Sequence, residues 1–363
     1  MNGMTDAAVL FLVPDGIDDD ERVSGGNVYD RRISEALRAR GLNVRMVLVA
    51  EDREQDVAHA LSALPRDALV LIDGLVAVAA SKVLRAHSTR LRIVVLAHMV
   101  ASALPRIQDD ARTAGREREA LNAARRVITT SEWTRSELIA RALAEPDGIT
   151  VARPGTDAAP AATGSASGVH LLCVGAVAPH KGQDVLVQAL AGMTDLPDWT
   201  CSIVGSLDTD PDFANRTAAA IRSAALTERV ALMGVLTGQR LADAYRTADL
   251  VVAPSRAESY SMVVAEALAR GIPVVATRVG GIPEAIAGSR AGILIPSNDP
   301  GALPAVLRQW REEPGWRAEL KAEALRSRAM TRPWDESAGI VSAVLSDVHP
   351  AMDVAGFERR GAG

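Results

Sequence analysis

The chain has 363 residues, of which 48% are hydrophobic, and a formal net charge of −5 at pH 7. This length suits two domains of ordinary size better than one core, and the charge gives no electrostatic case for nucleic-acid binding, which needs a concentrated cationic face. The two cysteines, Cys173 and Cys201, lie in apolar runs without a metal-type neighbour, so we interpret them as reduced core thiols.

The first apolar run covers residues 7–13, which is too short to span a bilayer, and Pro14 closes it. We interpret it as a first strand rather than a signal peptide, and we expect a cytoplasmic protein with no transmembrane segment. A polar loop then leads through Gly25 and Gly26 to a helix predicted over about 27–40. Glycines at this position allow a ligand to approach the helix N-terminus, where an anion is favoured. Alone, such a pair is more often part of a flexible loop.

Strands and helices alternate through the first half of the chain, which predicts a parallel, doubly wound sheet. The predicted strands are residues 8–13, 44–49, 68–72, 93–96, 127–130 and 151–152. His98 directly follows the fourth strand, at the edge where open α/β sheets bind ligands. A lone histidine there is more often a structural residue, so the position alone leaves its role open.

Residues 154–168 are small, polar and aperiodic, a composition typical of a linker. A second series of strands and helices follows, with strands predicted at 170–174, 202–204, 229–233, 250–253, 273–277 and 293–295. We therefore expect one domain over residues 1–153, a linker over 154–168 and a second domain over 169–330. Residues 349–363 lack periodicity, and we expect a disordered tail there.

The turn after the first strand of the second half contains Lys181 and Gly182. A lysine at such a turn can meet phosphate oxygens as a point charge. It is one of three lysines among 40 cationic residues, so its position is informative. As an isolated residue, however, it would more often be a surface lysine.

Residues 248–287 carry the strongest functional signal, because they predict a strand, a loop, a helix and a second strand in succession. Glu258 lies in the loop and Glu266 lies in the helix, with seven residues between them. A separation on the order of 10 Å suits one elongated ligand. One carboxylate could accept hydrogen bonds from a ribose and the other from a second sugar, with the N–H groups of residues 261–263 facing an anion. Without further context, two solvated acids are the more common explanation.

The string ESYSMVVAEALARGIPVVAT in this region resembles the E-x7-E motif of retaining GT-B glycosyltransferases of family four. The resemblance covers nearly the whole chain and is strongest over residues 170–285. It implies an α/β chain with the GT-B fold, in which two Rossmann-like, doubly wound domains face each other across a cleft. The first domain would hold the acceptor and the second the nucleotide-sugar donor, and a helix over about 331–348 would return to the first domain.

The resemblance also implies an activity, which is transfer of a hexose from a nucleoside diphosphate-sugar to a small-molecule, glycan or lipid acceptor with retention at the anomeric carbon. In such enzymes the leaving phosphate oxygen accepts the proton of the acceptor on the same face of the sugar. No separate base is then needed. We expect no cofactor besides the donor and no catalytic metal, because the sequence has no aspartate-rich metal motif.

Site residues carry over from the family motif position by position. Glu258 corresponds to the glutamate that contacts the donor sugar, Glu266 to the one that contacts the ribose, and His98 to a histidine near the reaction centre. The catalytic set implied by the resemblance is His98, Glu258 and Lys181. The implied donor-binding set is Gly25, Gly26, Lys181, Gly182, Gly205, Val235, Glu258, Ser259, Tyr260, Ser261, Met262, Val263 and Glu266.

Two positions depart from the family pattern. Ala176 stands where the family has an arginine that meets the diphosphate, and Ser261 stands where it usually has glycine. Another arginine, Arg22, Arg256 or Arg278, could replace the missing one.

Because of these departures, two alternatives stay open. One is a nucleotide-sugar-binding GT-B protein without transferase activity, and the other is a different GT-B enzyme, such as a nucleotide-sugar epimerase or a pseudo-glycosyltransferase. A dehydrogenase is disfavoured, since no G-x-G-x-x-G follows a first strand.

Overall fold

The computed structural model describes residues 8–19, 24–50, 54–103 and 110–349 of the chain. By its internal contacts the chain divides into two units. The first comprises Met1–Asp18, Gly26–Gly155 and Trp334–Gly363, and the second comprises Asp19–Gly25 and Thr156–Pro333. Two of the sequence-based expectations, the arginine at position 22 and the tail from residue 350 onward, fall outside the described residues.

The first unit contains a parallel sheet of six strands in the order β2-β1-β3-β4-β5-β6. The strands are β1 (Val9–Pro14), β2 (Val44–Val49), β3 (Leu69–Asp73), β4 (Arg92–Ala97), β5 (Arg126–Thr129) and β6 (Ile149–Val151). The helices between them are α1 (Gly25–Ala39), α2 (Glu54–Ser62), α3 (Gly74–Ala79), α4 (Ser81–His87), α5 (Asp110–Ala123) and α6 (Glu132–Ala140). The first apolar run is thus a strand, as predicted.

The second unit repeats this plan with the order β12-β11-β10-β7-β8-β9. Its strands are β7 (His170–Val174), β8 (Thr200–Val204), β9 (Val230–Leu232), β10 (Leu250–Ala253), β11 (Val274–Thr277) and β12 (Gly292–Ile295). Its helices are α7 (Gln183–Ala191), α8 (Pro211–Ser223), α9 (Gly238–Thr247), α10 (Met262–Ala269), α11 (Ile282–Ile286), α12 (Ala302–Glu312) and α13 (Pro314–Ser327). The strand order reverses between β7 and β10, which is where such sheets open a crevice for ligands.

Each sheet is covered on both faces, which explains why the central strands are continuous apolar runs. In β1, for example, Phe11 and Val13 belong to one buried cluster, with residues of α1, while Leu10 and Leu12 belong to the cluster on the opposite face. The two cysteines are free and buried in one cluster of the second unit, as the sequence predicted.

The last described helix, α14 (Trp334–Val348), belongs to the first unit although the second unit precedes it in the chain. It buries Ala338, Val341 and Leu345 in the cluster that also contains the buried face of α1. The hydroxyl of Ser337 donates a hydrogen bond to the carbonyl oxygen of Arg153 at 2.6 Å. The helix therefore completes the first core.

The predicted linker contains neither helix nor strand from residue 154 to 168, but from Thr156 onward it belongs to the second unit and is bonded to it. The N–H of Ala162 donates to Arg270 O at 2.8 Å, and the N–H groups of Thr163 and Gly164 donate to Arg246 O. Asp249, whose side chain is fully buried, accepts hydrogen bonds from Ser165 and from Lys321 Nζ at 2.6 Å. These contacts hold the segment against the edge of the second sheet.

No helix among the described residues is long and apolar enough to cross a membrane.

Candidate functional site

The loops that follow β7 and β10 meet where the strand order of the second sheet reverses, and each carries one of the predicted site residues. Lys181 lies in a single helical turn, Pro179–Lys181, that leads into α7, and Glu258 lies in the loop before α10. Lys181 Nζ is 2.6 Å from Glu258 Oε1, and their side chains are 24% and 12% exposed. The structure therefore pairs a cation and an anion that the sequence assigned to one site.

The Glu258 loop is fixed by hydrogen bonds as well as by this ion pair. Ser255 Oγ donates to Glu258 Oε1 at 3.0 Å, and Thr277 Oγ1 donates to the carbonyl oxygen of Ser255. The backbone N–H of Arg256 donates to His180 O at 2.7 Å, which joins this loop to the turn that carries Lys181. Both charged groups are therefore held on backbones that are bonded to each other.

Gly280 and Gly281, which follow β11, support the same loop from the other side. The N–H of Gly281 donates to Glu258 O at 3.1 Å. A Cβ atom at Gly280 would overlap that same carbonyl oxygen, and one at Gly281 would overlap Ser259 O. The backbones are in such close contact that only glycine fits, so this pair sets the position of the Glu258 loop.

Glu266 lies on α10 and has a partner that the sequence did not indicate. Tyr245, on α9, is fully buried and donates from its hydroxyl to Glu266 Oε2 at 2.8 Å. Burial and the neighbouring Glu266 carboxylate raise the pKa of Tyr245 well above its usual value, so the hydroxyl keeps its proton. It therefore acts as a fixed donor that orients Glu266.

Ser261 is the N-cap residue of α10, and its backbone lies in the left-handed region, with φ of 79°. Side chains rarely adopt this conformation, whereas glycine does so easily. This explains in physical terms why a glycine suits this position. The N–H groups at residues 261–263 open a helix of eight residues, and Met262 and Val263 there are half-buried, as are Ser259 and Tyr260 in the loop.

The remaining predicted residues of the second unit lie at the carboxyl ends of its strands. Gly182 and Gly205 are both close-approach positions, because a Cβ atom would overlap Pro254 O in the first case and Gly175 O in the second. Val235, after β9, is half-buried.

Ala176, which stands where the family has an arginine, lies two residues after the end of β7. Its carbonyl oxygen accepts a hydrogen bond from Gln183 Nε2 at 3.0 Å. Of the arginines that could replace it, Arg256 makes two hydrogen bonds of 2.8 Å to Asp184 and one of 2.8 Å to Pro179 O. Arg278 is exposed. The guanidinium of Arg256 is therefore already engaged near the turn, while Lys181 points to Glu258.

In the first unit, His98 follows β4 as predicted and is held by two acids that the sequence reasoning did not identify. Its Nε2 atom is 2.8 Å from Asp30 Oδ1 and 3.4 Å from Asp73 Oδ2. Asp30 lies on α1, and Asp73 ends β3, where its Oδ1 atom also accepts from the N–H groups of Leu75 and Val76. All three side chains are buried.

Gly25 and Gly26 are the first residues of α1. A Cβ atom at Gly26 would lie 3.3 Å from Cδ2 of His98, so the glycine leaves room for the imidazole ring. The ring also packs edge-on against Tyr29, with 5.2 Å between the centroids. Gly26 therefore has a packing role beside His98, which the sequence pattern did not reveal.

The electrostatics of this cluster depend on burial and on the two acids. Burial raises the pKa of Asp30 and, together with the charge of Asp30, raises the pKa of Asp73 to about 6. For His98, burial lowers the pKa, but the two carboxylates outweigh it, and the pKa is raised overall. The three ligand-type atoms lie within 4.8 Å of one another, a spacing that a metal ion could also use. Their mutual hydrogen bonding accounts for the arrangement without one.

The comparisons with known proteins agree with the sequence resemblance. Residues 168–312 match the family model described as glycosyl transferases group 1. The D-inositol 3-phosphate glycosyltransferase of Pseudarthrobacter chlorophenolicus is 34% identical over 251 residues, which is 65% of this chain and 58% of the relative. That of Kineococcus radiotolerans is 33% identical over 251 residues, or 61% of this chain and 57% of the relative. The chain thus spans less than two thirds of the length of these relatives.

Solved structures show the fold. Sucrose-phosphate synthase from Thermosynechococcus elongatus superposes with a TM-score of 0.77 at 21% identity, covering 95% of this chain and 99% of that one. Anabaena HepE in complex with UDP-glucose gives a TM-score of 0.76 at 18% identity, covering 94% and 99%. The expected fold class, GT-B with two parallel α/β sheets, is confirmed, and so is the resemblance to glycosyltransferases over the matched residues.

We expect Gly280→Ala to destabilise the second unit more than Gly234→Ala. Both glycines have positive φ, so both substitutions cost about 1–2 kcal/mol for the backbone conformation. Gly234 has open space around its Cβ position, whereas Gly280 faces Glu258 O, so Gly280→Ala should cost ~1–3 kcal/mol more. Urea unfolding of both variants measures the difference. Equal losses would show that the loop yields freely and that Gly280 does not position Glu258.

Proposed function

We propose that this chain is a glycosyltransferase that moves a hexose from a nucleoside diphosphate-sugar to an acceptor nucleophile, with retention at the anomeric carbon and without a catalytic metal. The observation that carries the proposal is the contact of Lys181 with Glu258 at the point where the strand order reverses, next to a helix that presents Glu266. The match to glycosyl transferases group 1 covers these three residues and supports the same activity.

In this proposal Lys181 neutralises the diphosphate of the donor. An ammonium group has three N–H donors, so Lys181 can keep its hydrogen bond to Glu258 while it meets a phosphate oxygen. The N–H groups at residues 261–263 add the positive end of α10. The ion pair thus fixes the position of the cation before the negative charge develops on the diphosphate. Such preorganised charge stabilises the transition state and lowers the activation barrier of transfer.

The two glutamates have separate roles. Glu258 accepts hydrogen bonds from hydroxyls of the transferred sugar and orients it, and Glu266, held by Tyr245, accepts from the ribose. As the bond between the anomeric carbon and the phosphate oxygen breaks, the acceptor oxygen forms its bond on the same face. The leaving phosphate oxygen takes the proton of the acceptor, so neither glutamate acts as nucleophile or base.

As the resemblance implies, His98 would approach the transferred sugar, and Gly25 and Gly26, the first residues of α1, would approach the diphosphate. The acceptor would be held by the first unit, and it would be a small molecule, a glycan or a lipid.

The proposal is tested with a panel of ligands. A nucleoside diphosphate-sugar that is a true donor should raise the thermal unfolding midpoint by mass action, and transfer or slow hydrolysis should release the matching nucleoside diphosphate. UDP, GDP, ADP and TDP with their sugars form the panel, each with and without EDTA. Stabilisation without any release would favour a nucleotide-sugar-binding protein that lacks transferase activity. Loss of activity with EDTA would contradict metal independence.

We expect Glu266→Ala to weaken binding of the free nucleoside diphosphate and Glu258→Ala to lower mainly the rate of transfer. The reason is that one carboxylate serves the ribose and the other the sugar that is absent from the diphosphate. Losing a hydrogen bond to a charged group typically costs ~1.5–3 kcal/mol. Calorimetry with the nucleoside diphosphate measures the first effect, and Glu228→Ala, at an exposed position of the same unit, is the control. If both active-site variants bind it equally weakly, the division of roles is wrong.

Lys181→Ala should reduce turnover at least a hundredfold, since it removes the cation at the developing charge, a loss of ~2.7–4 kcal/mol. Lys82→Ala removes an equal charge from an exposed helix position and should have no effect. Arg256 is already bound to Asp184 and is not expected to replace the absent arginine. An arginine introduced by Ala176→Arg should therefore add a cation and tighten diphosphate binding. A small loss with Lys181→Ala together with a neutral Ala176→Arg would mean that another arginine meets the phosphates.

A further inference from the structure

The cluster of Asp30, Asp73 and His98 is not explained by the resemblance, which concerns His98 alone. Both acids face the same nitrogen, Nε2, at 2.8 and 3.4 Å. The side chains of Asp30 and Asp73 are 1% and 4% exposed. An ionised carboxylate only accepts hydrogen bonds, so Nε2 carries a proton wherever both acids are ionised.

The other nitrogen of the ring is in a different situation. Among the described residues, no group forms a hydrogen bond with Nδ1 of His98. Nδ1 is also absent from the set of fully buried side-chain atoms without a partner in that part of the chain, so it is not fully buried. It therefore reaches the surface through the 10% of the side chain that is exposed. One ring nitrogen, Nε2, is therefore bonded to acids, and the other, Nδ1, is accessible to a ligand.

We propose that Asp30 and Asp73 are positioning residues for His98, which hold a proton on Nε2 and keep the ring charged, so that Nδ1–H is offered to the reacting groups as a cationic donor. The inference rests on the proposed function, because it gives the role of His98 in transfer. A charged donor would stabilise the negative charge that appears as the diphosphate leaves.

Several observations support this arrangement. Asp73 is fixed by the N–H groups of α3, and Tyr29, the neighbour of Asp30 on α1, packs edge-on against the ring and donates its hydroxyl to Ala152 O at 2.8 Å. Burial raises the pKa of Tyr29, so among these groups only the two acids supply negative charge. Asp30 Oδ2 is buried without a partner, which leaves Oδ1 and the imidazole as the route by which its charge is compensated.

The sign of the pH dependence follows from the raised pKa of His98. The charged ring exists below this pKa and is lost as the pH rises through it, so transfer should fall at alkaline pH. Asp30→Asn removes the larger favourable charge and leaves burial, which lowers the pKa of His98. The alkaline limb of the pH profile should therefore move to lower pH in this variant.

The test begins with the imidazole signals of the protein in NMR, with His98→Ala to assign His98. In the wild type, the ¹⁵N shifts should show both nitrogens protonated at pH 7. Asp30→Asn should bring deprotonation to lower pH and leave the proton on a single nitrogen at neutral pH. Ser34→Ala is the matched control, because Ser34 lies one turn further on α1, is fully buried, and its hydroxyl is without a partner. It should leave the titration unchanged.

The same variants are then assayed for transfer across the pH range. Asp30→Asn should lower transfer at alkaline pH about tenfold or more, within the range of proton-donating side chains, and should lose less at acidic pH. Asp73→Asn, which can still cap α3, should shift the profile in the same direction by a smaller amount. A merely structural role would lower transfer equally at every pH.

Three results would overturn the proposal: a neutral His98 at pH 7 in the wild type, a titration of His98 that is unchanged by Asp30→Asn, or an unchanged pH profile of transfer. Binding of added Zn²⁺ with loss of the His98 signals would also overturn it, in favour of a metal site. If Asp30→Asn does not fold, the wild-type titration still decides the charge of the ring. If no donor is turned over at all, the proposed function fails, while the NMR result stands by itself.

Discussion

At the edge of the second sheet where its strands end, backbone segments of neighbouring loops lie so close together that a Cβ atom would overlap a carbonyl oxygen. Gly182 lies against Pro254 O, Gly205 against Gly175 O, and Gly280 against Glu258 O. Each pair brings together loops from strands that are direct neighbours in the sheet. Because these loops interlock through their main chains, the groups they carry are fixed by the sheet itself, and rigid support of this kind is what a precise site requires.

The charged groups predicted for the site are each paired within their own unit. Lys181 is bound to Glu258, Glu266 to Tyr245, and His98 to Asp30 and Asp73. An unpaired charge in a partly buried position would be costly, so a protein either compensates it or lets it change its protonation state. Each unit therefore presents groups whose charges are already oriented, and under the proposed function little reorganisation would remain for the reaction itself.

The sequence predicted the parallel strands well, because strands buried on both faces are continuous apolar runs with clear ends. It assigned Glu258 and Glu266 to one site through the motif in which they stand and Lys181 through the resemblance at another turn, and the structure brings Lys181 and Glu258 into contact. It did not predict Tyr245 or Asp30, since their importance arises from contacts with residues 21 and 68 positions away. Asp73 could have been found, because an acid that ends a strand lies at the same edge as His98. The strained backbone of Ser261 could be suspected from the family glycine but measured only in the structure.

The position of α14 in the chain bears on how the protein folds as it is synthesised. Arg40, at the end of α1, pairs with Asp335 over a separation of 295 residues, and the apolar face of α14 fills the cluster around β1 and β3. Residues 156–333 form their own core from a continuous stretch and can fold as soon as they emerge. The first sheet, although made earlier, keeps part of one apolar face, beside α1, uncovered until residues 334–348 leave the ribosome. During that interval the nascent chain exposes a hydrophobic surface, which is prone to aggregation and is the kind of surface that chaperones bind.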